Sequence, residues 1–125
     1  MDKNFPKPKK ESIIYEDRFL YSCLASQPMA KSHVLIVWKK KVKDLHLLKR
    51  KEYEYLMDFV DSLRNSMLKT LKIEKVYLFY MDEAKHVHWH LIPRYNKKGF
   101  NVLEEKPKEL KDFSLASKIK ENLKW

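Results

Sequence analysis

Apolar residues enter the chain in two short runs on either side of a charged triplet. Ile13, Ile14 and Tyr15 precede Glu16-Asp17-Arg18, and Phe19, Tyr21, Cys23 and Ala25 then alternate with their neighbours, the pattern of a β-hairpin. The loop QPMAKS follows, with Pro28 ending the preceding strand. His33 to Trp38, HVLIVW, is a β-branched apolar run suited to a buried strand. Between positions 50 and 71 the period changes: Leu56, Phe59, Val60, Leu63, Met67 and Leu71 recur at intervals of three and four, which predicts one long helix with a single apolar stripe. Its start is weakly marked, because Lys49, Arg50 and Lys51 stand where the helix dipole favours acids, although Glu52 and Glu54 follow. KVYLFYM (75–81) and HVHWHLIPRY (86–95) read as two further strands, with Pro93 confining the second to an edge or an end. Beyond Gly99 the chain turns polar, and Leu115, Ile119 and Leu123 predict a short C-terminal helix capped at Ser114.

The order is therefore strand, strand, strand, helix, strand, strand, helix. Short links favour antiparallel pairing, so the expected fold is α+β, an antiparallel sheet of about five strands with one long helix on a face. A length of 125 residues suits one domain, assigned to 12–125, behind a flexible basic arm at 1–11. No apolar run approaches a membrane span, and the charged, proline-broken N-terminus has no signal-like apolar core. With Cys23 the single cysteine, no internal disulfide can form, and a reduced cytoplasmic setting is expected. The net charge of +10 sits in lysine clusters that suit an anionic partner. Those clusters do not interleave with aromatics, so a nucleic-acid platform is not favoured over a solvated surface.

Candidate chemistry concentrates in HVHWH. On a strand, His86, His88 and His90 would share one face, while Val87, Trp89 and Leu91 would point into the core. One histidine is usually structural; three in register point to a site. A metal is one reading, since paired histidines on a strand can chelate zinc with His33 as a further ligand, yet roughly 13 Å of strand separates His86 from His90. Nucleophilic catalysis at phosphorus is the other. Neutral imidazole is available near pH 7, attacks phosphorus, and leaves again readily, while neighbouring donors steady the phosphate oxygens.

HVHWHLIPR resembles the signature of the histidine-triad (HIT) family, in which three histidines alternate with apolar residues. Val87, Trp89, Leu91 and Ile92 fill its apolar positions. Pro93 and Arg94 are similar to the branch that includes fragile histidine triad proteins and dinucleoside polyphosphate hydrolases. Upstream, QPMAKSHVLIVWKKKVKDL is similar to the family's proline loop and following strand, which places His33 at its fourth histidine. The likeness runs from about Ile13 to Tyr95.

What the resemblance implies is a HIT-like sheet, commonly paired as a homodimer, acting on a nucleotide or dinucleotide without any required cofactor or metal. His88 would be the nucleophile that takes up a nucleoside monophosphate. His86 would orient it through its backbone carbonyl, and His90 would contact the phosphate or assist the leaving group. His33 would support the phosphate site from the neighbouring strand. Arg94, which shares the triad's face, is a candidate substrate contact on that placement alone, with a solvated strand-end arginine as the alternative. Three features depart from the family pattern. Met81, Asp82 and Glu83 replace small residues and a hydroxyl ahead of the triad, Ala25 replaces the ribose-contacting Asn or Asp, and Ser32 replaces the glycine before His33. The expected activity is hydrolysis or transfer through a nucleotidyl-histidine; a nucleotide-binding protein with little catalysis is the alternative.

Overall fold

Tight turns between neighbouring apolar runs leave antiparallel pairing as the way to satisfy their backbones, and the whole sheet is built so. The computed structural model describes residues 7–81, 84–95 and 109–125. Among them are five strands, β1 (Ile13–Glu16), β2 (Leu20–Leu24), β3 (Val34–Trp38), β4 (Lys75–Phe79) and β5 (His88–Arg94), and two helices, α1 (Arg50–Leu71) and α2 (Leu115–Asn122). The strands lie in the order β1-β2-β3-β5-β4, every neighbouring pair antiparallel. Single 3-10 turns occupy Lys10–Ser12 and Leu45–Leu47. Of the predicted N-terminal arm, residues 1–6 lie outside the described residues. Among the described residues no helix is long and apolar enough to cross a membrane.

The β1–β2 turn is held by Asp17, whose Oδ1 accepts the N–H groups of Phe19 (2.8 Å) and Leu20 (2.9 Å). Alternation describes this hairpin less well than expected. All five residues of β2 are buried, because both faces of the strand are covered, and Phe19 sits in the turn, stacked on Trp38. Val34, Ile36 and Trp38 face α1 and join Leu56, Phe59, Val60, Leu63 and Met67 in the main core. On the opposite face Tyr21, Cys23, Val37 and Leu35 form a second cluster.

The ends of α1 explain themselves locally. Glu52 Oε1 accepts the Lys49 backbone N–H at 2.9 Å, so an acid one turn in closes the start that the three basic residues leave poorly marked. At the other end Lys72 takes the left-handed conformation (φ 54°, ψ 50°) that ends the helix, while the Ile73 N–H reaches Leu68 O at 3.2 Å. The start of α2 is fastened differently from the expectation. Ser114 makes no side-chain cap; instead its N–H donates to Asp112 Oδ1 at 2.9 Å.

Strand β5 lies inside the sheet, between β3 and β4. Proline is tolerated there because β3 pairs β5 only from His88 to Leu91, and Pro93 lies beyond, facing Val76 of β4 alone.

Candidate active site

The predicted strand 86–95 begins two residues late, and that delay changes the role of its first histidine. Lys85 is left-handed (φ 53°), and β5 opens only at His88. Before it, Val87 is bonded on both sides: its N–H donates to Val42 O (2.9 Å), and its carbonyl accepts the Trp38 N–H (3.1 Å). His86 is therefore not the outer member of a row of three on one face. Its ring is fully buried, with Nε2 donating to the Trp38 carbonyl. His88 and His90 do share a face, and Val87 and Leu91 are buried in the core with Trp89 packed half-buried against it.

Cross-strand register shows where that face leads. His88 pairs Val37, which pairs Tyr21; His90 pairs Leu35, which pairs Cys23. The histidines thus stand beside the second apolar cluster, on the side of the sheet away from α1. Cys23 is buried within that cluster, where burial pushes its thiol up to about 12, far from a reactive thiolate.

A chain of hydrogen bonds assigns each neutral ring its proton. His88 Nδ1 lies 2.8 Å from the His86 carbonyl, an acceptor only, so Nδ1 carries the proton and Nε2 keeps its lone pair. His33 Nδ1 accepts the Met29 backbone N–H at 3.1 Å, which places the His33 proton on Nε2. That Nε2–H meets His90 Nδ1 at 3.0 Å and leaves His90 with its proton on Nε2. The His88 and His90 rings are edge-on, their centroids 4.9 Å apart. A lone pair and an N–H donor therefore stand side by side, which suits attack on phosphorus with an adjacent oxygen hydrogen-bonded.

Burial keeps the supporting pair neutral. His33 is pushed down to about 3, by burial and then by the nearby His90. His90 is pushed down to about 4, by burial and then by His88. Near pH 7 the pair can donate and accept but carries no charge.

The remaining candidates are less closely joined. Arg94 shares the face of His88 and His90 but stands four residues past His90, roughly 13 Å along the strand. Asp82 and Glu83 lie outside the described residues, and Met81 is exposed. Ser32, at the family's glycine position, is left-handed (φ 65°) and buried, so the backbone keeps the conformation glycine would give it. Ala25 offers its backbone N–H to His33 O at 2.8 Å and no side-chain polar atom. Sequence reasoning missed the two backbone groups that orient the outer rings, the Met29 N–H and the Trp38 carbonyl; no side-chain pattern encodes them. Among the described residues no group of three or more His, Cys, Asp or Glu side chains could hold a metal ion.

A family model for the HIT domain matches residues 7–97. The chain belongs to the HIT family. An uncharacterized HIT-like protein of Methanocaldococcus jannaschii is 29% identical over 117 residues, covering 87% of this chain and 86% of that one. Among solved structures, a HIT-like protein involved in cell-cycle regulation from Bartonella henselae superposes with a TM-score of 0.74 at 22% identity, over 90% of this chain and 86% of the other. A hypothetical histidine triad nucleotide-binding protein from Sulfolobus tokodaii gives 0.71 at 19%, over 89% and 82%. At these identities the likeness establishes the shared HIT fold, a five-stranded antiparallel sheet with two helices.

Proposed function

We propose that this HIT protein is a nucleotide hydrolase or nucleotidyl transferase working through a covalent nucleotidyl-His88 intermediate. The observation that carries the reading is the proton assignment of His88: with Nδ1–H donated to the His86 carbonyl, Nε2 is the nitrogen that bears the lone pair a nucleophile needs. Attack forms an N–P bond at Nε2 and breaks the bond from phosphorus to the leaving group, which departs with the electron pair. A phosphate leaving group needs no proton; an amine takes one from water. The His90 Nε2–H steadies a phosphoryl oxygen as a neutral donor, and His33 keeps it in that tautomer. Water then attacks phosphorus, the N–P bond breaks back to Nε2, and a nucleoside monophosphate leaves with the spare proton passing to solvent. None of these steps calls for a metal or other cofactor.

Dinucleoside polyphosphates or related nucleotide conjugates are the proposed substrates, on the likeness of HVHWHLIPR to the fragile histidine triad branch. The nucleotide-binding description of the Sulfolobus tokodaii neighbour agrees with that class. Arg94 is a candidate phosphate contact, a homodimer is the proposed assembly, and a reduced cytoplasmic setting is the proposed location. A second reading, nucleotide binding with little catalysis, is favoured by one observation: Ala25 cannot hydrogen-bond a ribose hydroxyl.

Intact-mass analysis after brief exposure to dinucleoside polyphosphates and nucleoside phosphoramidates, run beside His88→Gly, tests the proposal. A nucleotide-sized gain on the wild type alone supports covalent catalysis and identifies the accepted nucleoside. No adduct and no product from any ligand gives the binding reading the stronger case.

A further inference from the structure

Beyond the described ladder between β3 and β5, the loop that carries His33 is tied to the histidine strand by a side chain. The two strands pair as far as Val34 and Leu91, and Pro93, two residues on, has no N–H with which to extend the ladder. Past it, the Tyr95 hydroxyl donates to the Lys31 carbonyl at 2.6 Å. We propose that Tyr95 is a positioning residue: by gripping Lys31 it holds the second half of the 25–33 loop in the conformation that turns His33 toward His90. The effect on rate rests on the nucleotidyl-transfer reading above; the effect on the histidine rings does not.

Backbone strain shows why such a grip is needed. Ser32 stands between the gripped residue and His33, and its φ is 65°. Left-handed backbone is costly for a residue with a Cβ, and it persists where its neighbours over-determine it. On one side His33 is fixed at both backbone groups: its carbonyl accepts the Ala25 N–H at 2.8 Å, and its own N–H donates to Ala30 O at 3.0 Å. On the other side Lys31 is exposed, and the Tyr95 hydroxyl ties its peptide to the end of β5. The start of the loop is fastened separately, by the Leu110 N–H to Ser26 O at 2.7 Å. Tyr95 therefore acts on the part from Met29 to His33.

That part decides a proton. The Met29 N–H donates to His33 Nδ1 at 3.1 Å, four residues away across Ser32, and so keeps the His33 proton on Nε2, which faces His90 Nδ1 at 3.0 Å. If Ser32 relaxes to negative φ, the chain changes direction between Met29 and His33 and this donor is lost. His33 can then hold its proton on either nitrogen, and His90 loses the neighbour that keeps its own proton on Nε2. Tyr95 thus acts on the reacting face through three steps: the Lys31 carbonyl, the turn at Ser32, and the His33 ring. A tie that only stabilised the fold would leave the tautomers as they are.

The test is Tyr95→Phe, which keeps the ring and removes the donor. Two readouts are taken at pH 7: nitrogen NMR shifts of His33 and His90 in the ligand-free protein, and steady-state kinetics with a nucleoside 5′-phosphoramidate. The His33 shifts should move from a single Nε2–H tautomer toward a mixture. The kcat should fall about 5-fold, the size of one neutral hydrogen bond, with KM changed less than about 2-fold. Adding Ser32→Gly should restore both, because glycine takes a positive φ without the Cβ penalty. Ile119→Ala, which destabilises the far side of the sheet, should move neither. Wild-type shifts in Tyr95→Phe overturn the proposal, whether kinetics are unchanged or KM alone rises, the latter being the mark of a direct substrate contact. A tautomer change that Ser32→Gly leaves untouched overturns it too. If the wild-type protein turns over no substrate while the shifts still respond as expected, the nucleotidyl reading fails and the brace on His33 stands.

Discussion

A neutral imidazole has one proton and two nitrogens to hold it, and in this site a different partner makes the choice for each ring. For His88 the choice is local, made by a carbonyl two residues away; that of His90 comes from His33, 57 residues distant in sequence. His33→Phe should accordingly leave the His88 adduct forming but lower kcat about 10-fold through loss of the oriented donor, a fraction of what removing the donor itself costs. His33→Gln, whose amide can accept from Met29 and donate to His90, should restore most of that loss in the same steady-state assay. The pair also sets the acid response. Folded His33 and His90 titrate near 3 and 4, whereas an unfolded histidine titrates near 6.5. As pH falls below about 6.5 the unfolded chain takes up protons first, so the stability present above that pH declines until each folded ring titrates. Denaturant melts between pH 7 and 4 should show a fall of at most about 1.4 kcal/mol per pH unit for each of the two histidines. His33→Gln should make the decline shallower; an unchanged slope would place the acid sensitivity elsewhere.

Elements differ in how much of them can be read from residue order. The three-and-four spacing predicts α1 over 50–71, and it spans Arg50–Leu71, because a helix buried along one stripe leaves its period in the sequence. Strand β2 is covered on both faces, so its burial carries no alternation to read. HVHWH alternates perfectly, yet its first two residues lie outside the strand, because pairing with Val42 and Trp38 decides their conformation. Two of the candidate side chains named in the sequence, His33 and His90, meet in the structure, a contact that the sequence pattern does not itself encode. The His86 carbonyl beside His88 is the one orienting group that the resemblance implied; the Met29 N–H and the Trp38 carbonyl are main-chain groups that every sequence possesses and none advertises. Helix ends are a further case. The chain has one glycine, Gly99, so the left-handed turns at Ser32, Lys72 and Lys85 are made by residues with a Cβ. Lys72 is exposed, and its side chain makes no hydrogen bond or ion pair among the described residues. Lys72→Gly should stabilise the protein by about 0.5–1 kcal/mol in equilibrium unfolding, with nucleotide chemistry unaffected.

The molecule as a whole is a sheet with unequal faces, α1 and the main core on one, the histidines and a small apolar cluster on the other. Helix α2 packs against α1 and β1 and closes the core at Ala116 and Ile119. Ser66 Oγ donates to the Ile119 carbonyl, and Asn122 donates to Thr70 Oγ1 at 2.8 Å. Past the helix, Trp125 packs edge-on against Tyr55 and Phe59 and donates to the Tyr15 hydroxyl at 3.0 Å. Ile119→Ala should cost about 2–4 kcal/mol by opening a cavity under α2, read as a lower denaturation midpoint. The histidines stand on the opposite face, so nitrogen NMR shifts should report the same three tautomers in that variant. This packing also gives the chain a timetable. A nascent chain can join residues 29 to 33 with 86 to 90 well before α2 exists, whereas β1 waits for the last residues to cover its flank. During synthesis these histidines would thus assemble first and the flank of β1 be covered later, leaving an interval in which the exposed aromatic edge of β1 invites aggregation.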